Sequence, residues 1–364
     1  MLQIHETGEL IRALRKQKDL TQEQLAGYAN IDVATLSKIE NGHTMPKQAT
    51  FRRLLEVLRF DTGNAAHLFL SKEEIKHVEI IDEGKRLFEE CEKKDWVDAD
   101  AIADVVNFLD NLAQNEDFLK EPKNKQVYLQ WRASVNRGFA WQEELTYNKA
   151  DITVEENKKL KENFAYSPQV LRGLEEGIEM LYEALRLTIP SFEIEKISEY
   201  YLTSMELALI SCLANMYGDY DDTEKDEKCI SIYKELVKPK GKNEAFGDSY
   251  YPKFVTNLVV HLMSLERFEE AIQYANEGTE YCLANDNNAI LPFLSGVKAY
   301  SMGNAYGINE DGDDEEKARA KEVKELYRYA YYYALLANNQ SLVETCWGNF
   351  TLWFKENIDG TPLE

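Results

Sequence analysis

Residues Thr21 to Gly42, TQEQLAGYANIDVATLSKIENG, leave this part of the chain little choice of local fold. Thr21 with Gln24 three residues later is the pattern of a capping box, which satisfies two free backbone N–H groups and starts a helix. Leu25 and Ala26 give that helix a small apolar face. Asn30 falls where the chain must turn, and its short polar side chain tolerates left-handed backbone. Asp32 is a good N-cap for a second helix, and Gly42 suits the position just past its end. Leu36 and Ile39 face inward at helical spacing, which leaves Val33, Ala34, Ser37 and Lys38 outside. The prediction is two short helices joined by a tight turn.

The flanks extend the pattern. GELIRALRKQKD (Gly8 to Asp19) reads as an amphipathic helix with Leu10, Ile11 and Leu14 on one side. Met45-Pro46 marks a turn, and ATFRRLLEVLRF (Ala49 to Phe60) follows with Phe51, Leu54, Leu55 and Leu58 on one face. Two short helices in this setting make a helix-turn-helix unit, whose second helix enters the DNA major groove. Over about residues 4 to 62 the sequence resembles the phage-repressor-like (XRE-type) helix-turn-helix family, through IRALRKQKDLTQEQLA, then LSKIENG, then the proline and the Leu-rich helix. Ala29-Asn30 stands where many members carry Gly at the turn.

The resemblance implies roles for particular residues. Gln22 stands where family members set Gln against a DNA phosphate. Val33, Ala34 and Lys38 stand at the outward positions that face base edges, with Thr35 and Ser37 as further phosphate candidates. Arg15 and Glu40 match a pair that forms a buried structural ion pair in the family. The readout set is chemically modest: Val33 and Ala34 suit thymine methyls, and Lys38 suits guanine O6/N7 or a phosphate.

Charge separates this head from the rest. Residues 1–70 hold nine Lys/Arg and eight Asp/Glu, whereas the whole chain is −23. A polyanion is therefore repelled by the body and approached only by the head. The 364 residues allow two or three domains, and 44% hydrophobic residues with 8 Pro describe a folded chain with a sizeable core. No apolar run approaches the ~20 residues of a membrane span. The start lacks the basic-then-apolar order of a signal peptide, so a cytoplasmic protein without a membrane partner is expected. Cys91, Cys212, Cys229, Cys282 and Cys346 are far apart and odd in number, which predicts buried free thiols rather than zinc or disulfides.

From about residue 71 the periodicity is helical throughout, with no strand pattern. It predicts helices near 72–94, 98–114, 121–142, 153–165, 168–188, 191–217, 224–237, 250–264, 267–285, 289–306, 315–337 and 340–357. Pairs of this length joined by short polar turns suggest an α-solenoid. The clearest pair is FVTNLVVHLMSLERFEEAIQYANEGTEYCLAND (Phe254 to Asp286), with Ala271, Ile272 and Ala275 allowing close helix approach. It resembles the tetratricopeptide (TPR) repeat. The preceding pair aligns without a gap: Asn215 lies fourteen residues before Cys229, as Asn257 lies fourteen before Ala271. A third pair, LPFLSGVKAYSMGNAYGI then LYRYAYYYALL, is more diverged and carries Val297 and Lys298 at the corresponding place.

In TPR stacks the first helix of each pair lines the concave side, which binds extended peptides in many members. Asn offers one donor side and one acceptor side, so it can pair with a peptide backbone. Asn215 and Asn257 then stand either as two groove contacts one repeat apart or as locally bonded polar residues. Tyr250, Phe254, Lys298 and Tyr300 are further candidates for side-chain pockets and the peptide terminus. His261 on its apolar helix reads as a core or groove residue.

The layout as a whole, a repressor-like head with a TPR-like body, resembles the RRNPP-type peptide-pheromone receptors, the PlcR-, PrgX- and Rgg-like transcription regulators. That implies an all-α protein. A five-helix phage-repressor-like head (residues 1–68) precedes an α-solenoid of TPR-like pairs (69–364) that binds ligand and dimerises. It further implies a cytoplasmic homodimer that senses a short signalling peptide and alters its hold on double-stranded operator DNA. The alternative is a DNA-tethered TPR scaffold that meets a protein partner without a peptide ligand. Enzyme readings lack support. The five His show no HxxxH or HxH spacing, no phosphate loop occurs, and the acidic run at 310–316 lacks EF-hand spacing, so no cofactor or metal is expected. In the terminal stretch, the apolar surface of Trp347, Phe350, Leu352, Trp353 and Phe354 is read first as a cap on the last repeat, which by itself can account for it, with any excess aromatic surface helping two bodies dimerise.

Overall fold

The computed structural model describes residues 4–58, 72–94, 96–147, 165–200, 202–220, 222–238, 247–285 and 288–361. Among the described residues every regular element is a helix. They fall into two compact units, Met1–Phe192 with Tyr200–Cys212, and Glu193–Glu199 with Leu213–Glu364.

The first unit begins with α1 (Ile4–Gln17), α2 (Gln22–Tyr28), α3 (Val33–Glu40) and α4 (Gln48–Val57). The caps are those the sequence specifies. Gln24 N donates to Thr21 Oγ1 at 3.2 Å while Thr21 N donates to Gln24 Oε1 at 2.8 Å. Thr35 N donates to Asp32 Oδ1 at 2.8 Å. Asn30 turns the chain with φ 50°, and Gly42 leaves α3 with φ 67°, a left-handed conformation that costs glycine nothing. Ile11, Leu25, Leu36, Ile39, Leu54 and Leu58 form the core of this four-helix cluster. Each such side chain contributes about 1.5–3 kcal/mol by leaving water. The fifth helix expected of the head falls on residues 59–71, outside the described residues.

The same unit continues with α5 (Lys72–Lys93), α6 (Ala99–Leu112), the single turn α7 (Glu116–Leu119), α8 (Pro122–Tyr147) and α9 (Pro168–Arg186). Phe88, Cys91, Val105, Leu109, Phe118 and Trp131 make the core of α5 to α8. The helix expected at 153–165 lies, but for Ala165, outside the described residues. The helix expected over 191–217 is two elements, a 3-10 segment (Ile194–Glu199) and then α10 (Ser204–Gly218). The break has a local cause. Thr203 N donates to Glu206 Oε2 at 2.6 Å and Glu206 N donates to Thr203 Oγ1 at 3.4 Å, a second capping box that starts a fresh helix.

The second unit takes the end of α10 and then α11 (Thr223–Leu236), α12 (Gly247–Ser264), α13 (Phe268–Ala284), α14 (Leu291–Tyr306), α15 (Asp314–Leu336) and α16 (Gln340–Phe354). From α11 onward each helix packs on the next, and α14 also touches α12 and α16. The first helices of successive pairs therefore lie side by side, the arrangement of a TPR-like stack. Ala271 and Ala275 are fully buried, as the close approach of α12 and α13 requires. The acidic run before α15 acts as a cap: Asp313 Oδ1 accepts from Glu315 N and Glu316 N, and Glu316 reaches back to Asp313 N. Phe350 and Phe354 are buried against α15, whereas Trp347 and Leu352 are exposed. None of the five cysteines is in a disulfide, and four of them are buried. Among the described residues no helix is long and apolar enough to cross a membrane.

Candidate nucleic-acid interface and the amide cluster of the body

The outward side of α3 is set by its inward side. Leu36, Ile39 and Glu40 are buried, so Val33, Ala34 and Lys38 stand exposed on the opposite face. Val33 and Ala34 are apolar and sit in the first turn; Lys38 adds the one cation of this helix a little over a turn later. A helix with small apolar groups at its N-terminal end and a cation beyond them has the shape and chemistry to lie in a major groove. Thr35 is half-buried, and its hydroxyl donates to Asp32 Oδ2 at 2.6 Å. Ser37 is half-buried, and its hydroxyl oxygen accepts from Asn41 Nδ2 at 3.4 Å.

What holds α3 in place is a carboxylate at its end. Glu40 is 2% exposed and accepts from Arg15 Nε at 2.6 Å, Arg15 Nη2 at 2.9 Å and Gln22 Nε2 at 2.8 Å. Burial pushes the Glu40 carboxyl up, but the bonds from Arg15 and Gln22 with the charges of Arg15 and Arg12 outweigh it, and the group titrates below the ordinary glutamate value. Arg15 is raised in turn, chiefly by its hydrogen bond to Glu40. Gln22, expected at a phosphate, therefore bonds the scaffold as well, with its amide nitrogen turned toward Glu40. Arg12 has a place the sequence reading did not assign: its guanidinium lies 3.7 Å from Glu40 and donates to Asn41 Oδ1. Its spacing from Arg15 on α1 puts both on one helix face, a signal that was available.

In the body, Asn215 on α10 and Asn257 on α12 meet at one oxygen. Tyr233 Oη donates to Asn215 Oδ1 at 2.6 Å and accepts from Asn257 Nδ2 at 2.8 Å. His261 Nε2 lies 3.2 Å from the same Asn215 Oδ1, and its ring stacks on Tyr233 with centroids 5.9 Å apart at 23°. Gly218 makes room for that ring: a Cβ there would stand 2.4 Å from His261 Cε1. Tyr233 is fully buried, while both asparagines and His261 are half-buried.

The other four candidates are placed differently. Phe254 is 3% exposed, with its ring 6.5 Å from Tyr233 and 5.8 Å from Tyr250, so it is a wall of this cluster rather than a reaching side chain. Tyr250 is half-buried beside it. Lys298 and Tyr300 lie a helix pair further on. Lys298 pairs with Glu322 at 2.8 Å, and the Tyr300 ring meets Phe268 edge-on at 6.1 Å. The sequence reading gave Tyr233 no part. It lies on the second helix of its pair, four residues beyond the Cys229 that fixed the register.

Residues 11–63 match the family model described as helix-turn-helix, so the head is a helix-turn-helix domain. RghRB, an uncharacterized HTH-type transcriptional regulator of Bacillus subtilis (strain 168), is 43% identical over 74 residues, 19% of this chain and 53% of that protein. The HTH-type transcriptional repressor RghR of the same strain is 47% identical over 53 residues, 14% of this chain and 39% of that protein. The matches thus span about half or less of these relatives and lie at the scale of the head alone. Among solved structures, Bacillus thuringiensis PlcR, in complex with the peptide PapR7 and DNA, aligns with 93% of this chain and 99% of its own. The identity is 15% and the TM-score 0.43. The apo form of the competence regulator ComR from Streptococcus vestibularis covers 97% and 99%, at 14% identity and TM-score 0.38.

Proposed function

We propose that the protein is a cytoplasmic, peptide-responsive transcription regulator of the quorum-sensing type. Its head (residues 1–68) binds double-stranded operator DNA, and its body (69–364) binds a short signalling peptide and pairs two chains into a homodimer. The observation that supports the reading is the joining of a helix-turn-helix head and a paired-helix body in one chain. The helix-turn-helix domain presents Val33, Ala34 and Lys38, and the helix stack sets Asn215 and Asn257 one repeat apart on first helices. A peptide of about five to ten residues, extended along those helices, meets the two amides at alternate positions of its backbone. Binding shifts a balance between two arrangements of the body and so resets the spacing of the heads. The shift is limited by the difference in the peptide's affinity for the two arrangements.

The scaffold reading keeps one observation in its favour. Tyr329, Tyr332, Leu335 and Leu336 on α15 and Trp347 on α16 are exposed, and exposed apolar surface of this kind meets another protein. Titration calorimetry separates the two. The full chain is titrated with synthetic peptides encoded by short reading frames beside its gene, with and without operator DNA selected from a random pool. A binding peptide whose affinity falls in Asn257→Ala, with ligand-free DNA binding and helicity unchanged, supports the peptide reading. Loss of one hydrogen bond to a buried partner costs about 1–3 kcal/mol. Wild-type affinity in Asn257→Ala, or no binding peptide, sets that reading aside.

A further inference from the structure

We infer that Tyr233 and His261 commit the Asn215 side-chain oxygen to the protein, so that at this position the body offers an incoming peptide a hydrogen-bond donor alone and reads a backbone carbonyl. The inference rests on the reading that the body takes an extended peptide, and it names which half of the peptide unit Asn215 recognises.

An amide oxygen has two lone pairs and an amide nitrogen two hydrogens. The Tyr233 oxygen already receives Asn257 Nδ2, so its single hydroxyl hydrogen is available for Asn215 Oδ1, 2.6 Å away. His261 Nε2, 3.2 Å from the same oxygen, supplies the second donor when the ring carries its proton on Nε2. Both lone pairs are then filled. The amide nitrogen stands beside that oxygen on the same planar group, and neither Tyr233 Oη nor His261 Nε2 takes either of its two hydrogens. Among the described residues that nitrogen has no hydrogen-bond partner, and Asn215 is half-buried, so its free edge is open to water or ligand.

The arrangement is built to stay this way round. The Tyr233 ring is held between His261 on one side and Phe254 on another, so the hydroxyl has one place to sit. Gly218 permits the His261 ring to come against α10, where any side chain at 218 would displace it. Tyr233 and His261 are thus positioning residues: neither reaches the peptide, and together they decide which edge of Asn215 does. An extended backbone presents N–H and C=O groups by turns, so a site that offers a donor alone selects register. The peptide settles with a carbonyl at Asn215, and a one-residue slip would bring an N–H against N–H.

Two measurements on the full-length protein test this. The first needs no ligand. Nitrogen NMR of protein labelled with 15N-histidine reads which ring nitrogen of neutral His261 is protonated, the resonance being assigned by its loss in His261→Ala. Protonation at Nε2 is expected. Protonation at Nδ1 would mean that Nε2 accepts from a reversed Asn215 amide, and overturns the inference. The second uses the peptide identified by calorimetry. Asn215→Asp keeps an inward oxygen for Tyr233 and His261 but removes the outward donors. Its affinity should fall about tenfold, the equivalent of one hydrogen bond, with the melting temperature kept within the range of wild type. Wild-type affinity in Asn215→Asp overturns the inference. If no peptide binds, the proposed function fails, and the His261 tautomer still decides the orientation of Asn215.

Discussion

Arg15 on α1 grips Glu40 at the end of α3 with two parallel hydrogen bonds, Nε to Oε1 at 2.6 Å and Nη2 to Oε2 at 2.9 Å. The guanidinium spends a third donor on Leu20 O at 2.8 Å, so it also fixes the turn that leads into α2. One side chain thereby ties three segments, and the helix that presents Val33, Ala34 and Lys38 cannot rotate without breaking a charged pair that is almost wholly out of water. The planar fork of arginine matches a carboxylate in a way a lysine ammonium cannot.

Removing one partner should therefore cost more than the pair is worth. Arg15→Ala leaves the Glu40 carboxylate buried with only Gln22 and Arg12 near it, and such a stranded charge costs about 3–5 kcal/mol. Arg15→Lys should recover part of the loss, since it restores charge without the second bond. Urea denaturation followed by a probe placed in the head measures both. Equal midpoints for wild type and Arg15→Ala would show that the pair leaves the head's stability unchanged.

The same carboxylate predicts an acid response. Its pKa in the folded head lies below the unfolded value of about 4.3. A depressed carboxyl contributes stability that is fully present above the unfolded pKa and is lost as the pH falls through the folded one. Head stability should thus decline below about pH 4.3. Glu40→Gln, which cannot titrate, should be less stable at neutral pH and show a flatter decline in acid. Parallel pH profiles for the two proteins would assign the acid response to other groups.

At the DNA surface, Lys38→Ala separates two roles. If Lys38 reads a guanine, its loss costs about 1–3 kcal/mol and relaxes base preference at one position. If it meets a phosphate, binding weakens on all sequences alike and the slope of log K against log salt falls by about 0.9. The exposure of Lys38 on the same face as Val33 and Ala34 favours the first outcome. Gln22→Ala should weaken binding with less change in base preference, and it also removes a bond to Glu40. Gel shifts over a salt series, on operator selected from a random pool, measure each. Wild-type binding by the double variant would place the DNA surface elsewhere.

What could be read from the sequence was what short-range chemistry decides. The Thr21–Gln24 box, the Asp32 cap and the left-handed Asn30 and Gly42 each follow from residue type and spacing, whereas the Arg15–Glu40 pair, 25 residues apart, came only from the family resemblance. The Thr203–Glu206 box has the same spacing, but the apolar periodicity of 204–217 runs on from the segment before it and hides the break. Periodicity records which side is buried and says nothing of a break in phase. The body was legible as paired helices, and the register of Asn215 and Asn257 came from its repeat. Tyr233 was not, because its role depends on a hydroxyl reaching across to two other helices, and nothing in its own neighbourhood marks that. The Tyr-rich stretch of α15 mixes both cases. Tyr327 is fully buried and Tyr329 exposed, although the sequence writes them alike.

The last expectation uses the tight fit at Gly218 to test whether His261 stands where the amide cluster needs it. A methyl at 218 would sit 2.4 Å from His261 Cε1 and 2.6 Å from Nδ1, with Cys229 Sγ at 3.1 Å. The His261 ring must move, and with it goes the bond to Asn215 Oδ1. Overpacking of this kind costs about 1–3 kcal/mol. Gly218 is the last residue of α10 and its backbone is not left-handed, so alanine there carries no conformational penalty of its own. Gly218→Ala should therefore destabilise the wild-type chain yet cost little or nothing in a His261→Ala background, where the ring is gone and only Cys229 must give. Denaturation of the two single variants and the double variant isolates that coupling. Strictly additive effects would mean that Gly218 and His261 do not share the space, and the support that His261 gives to Asn215 would have to come from another direction.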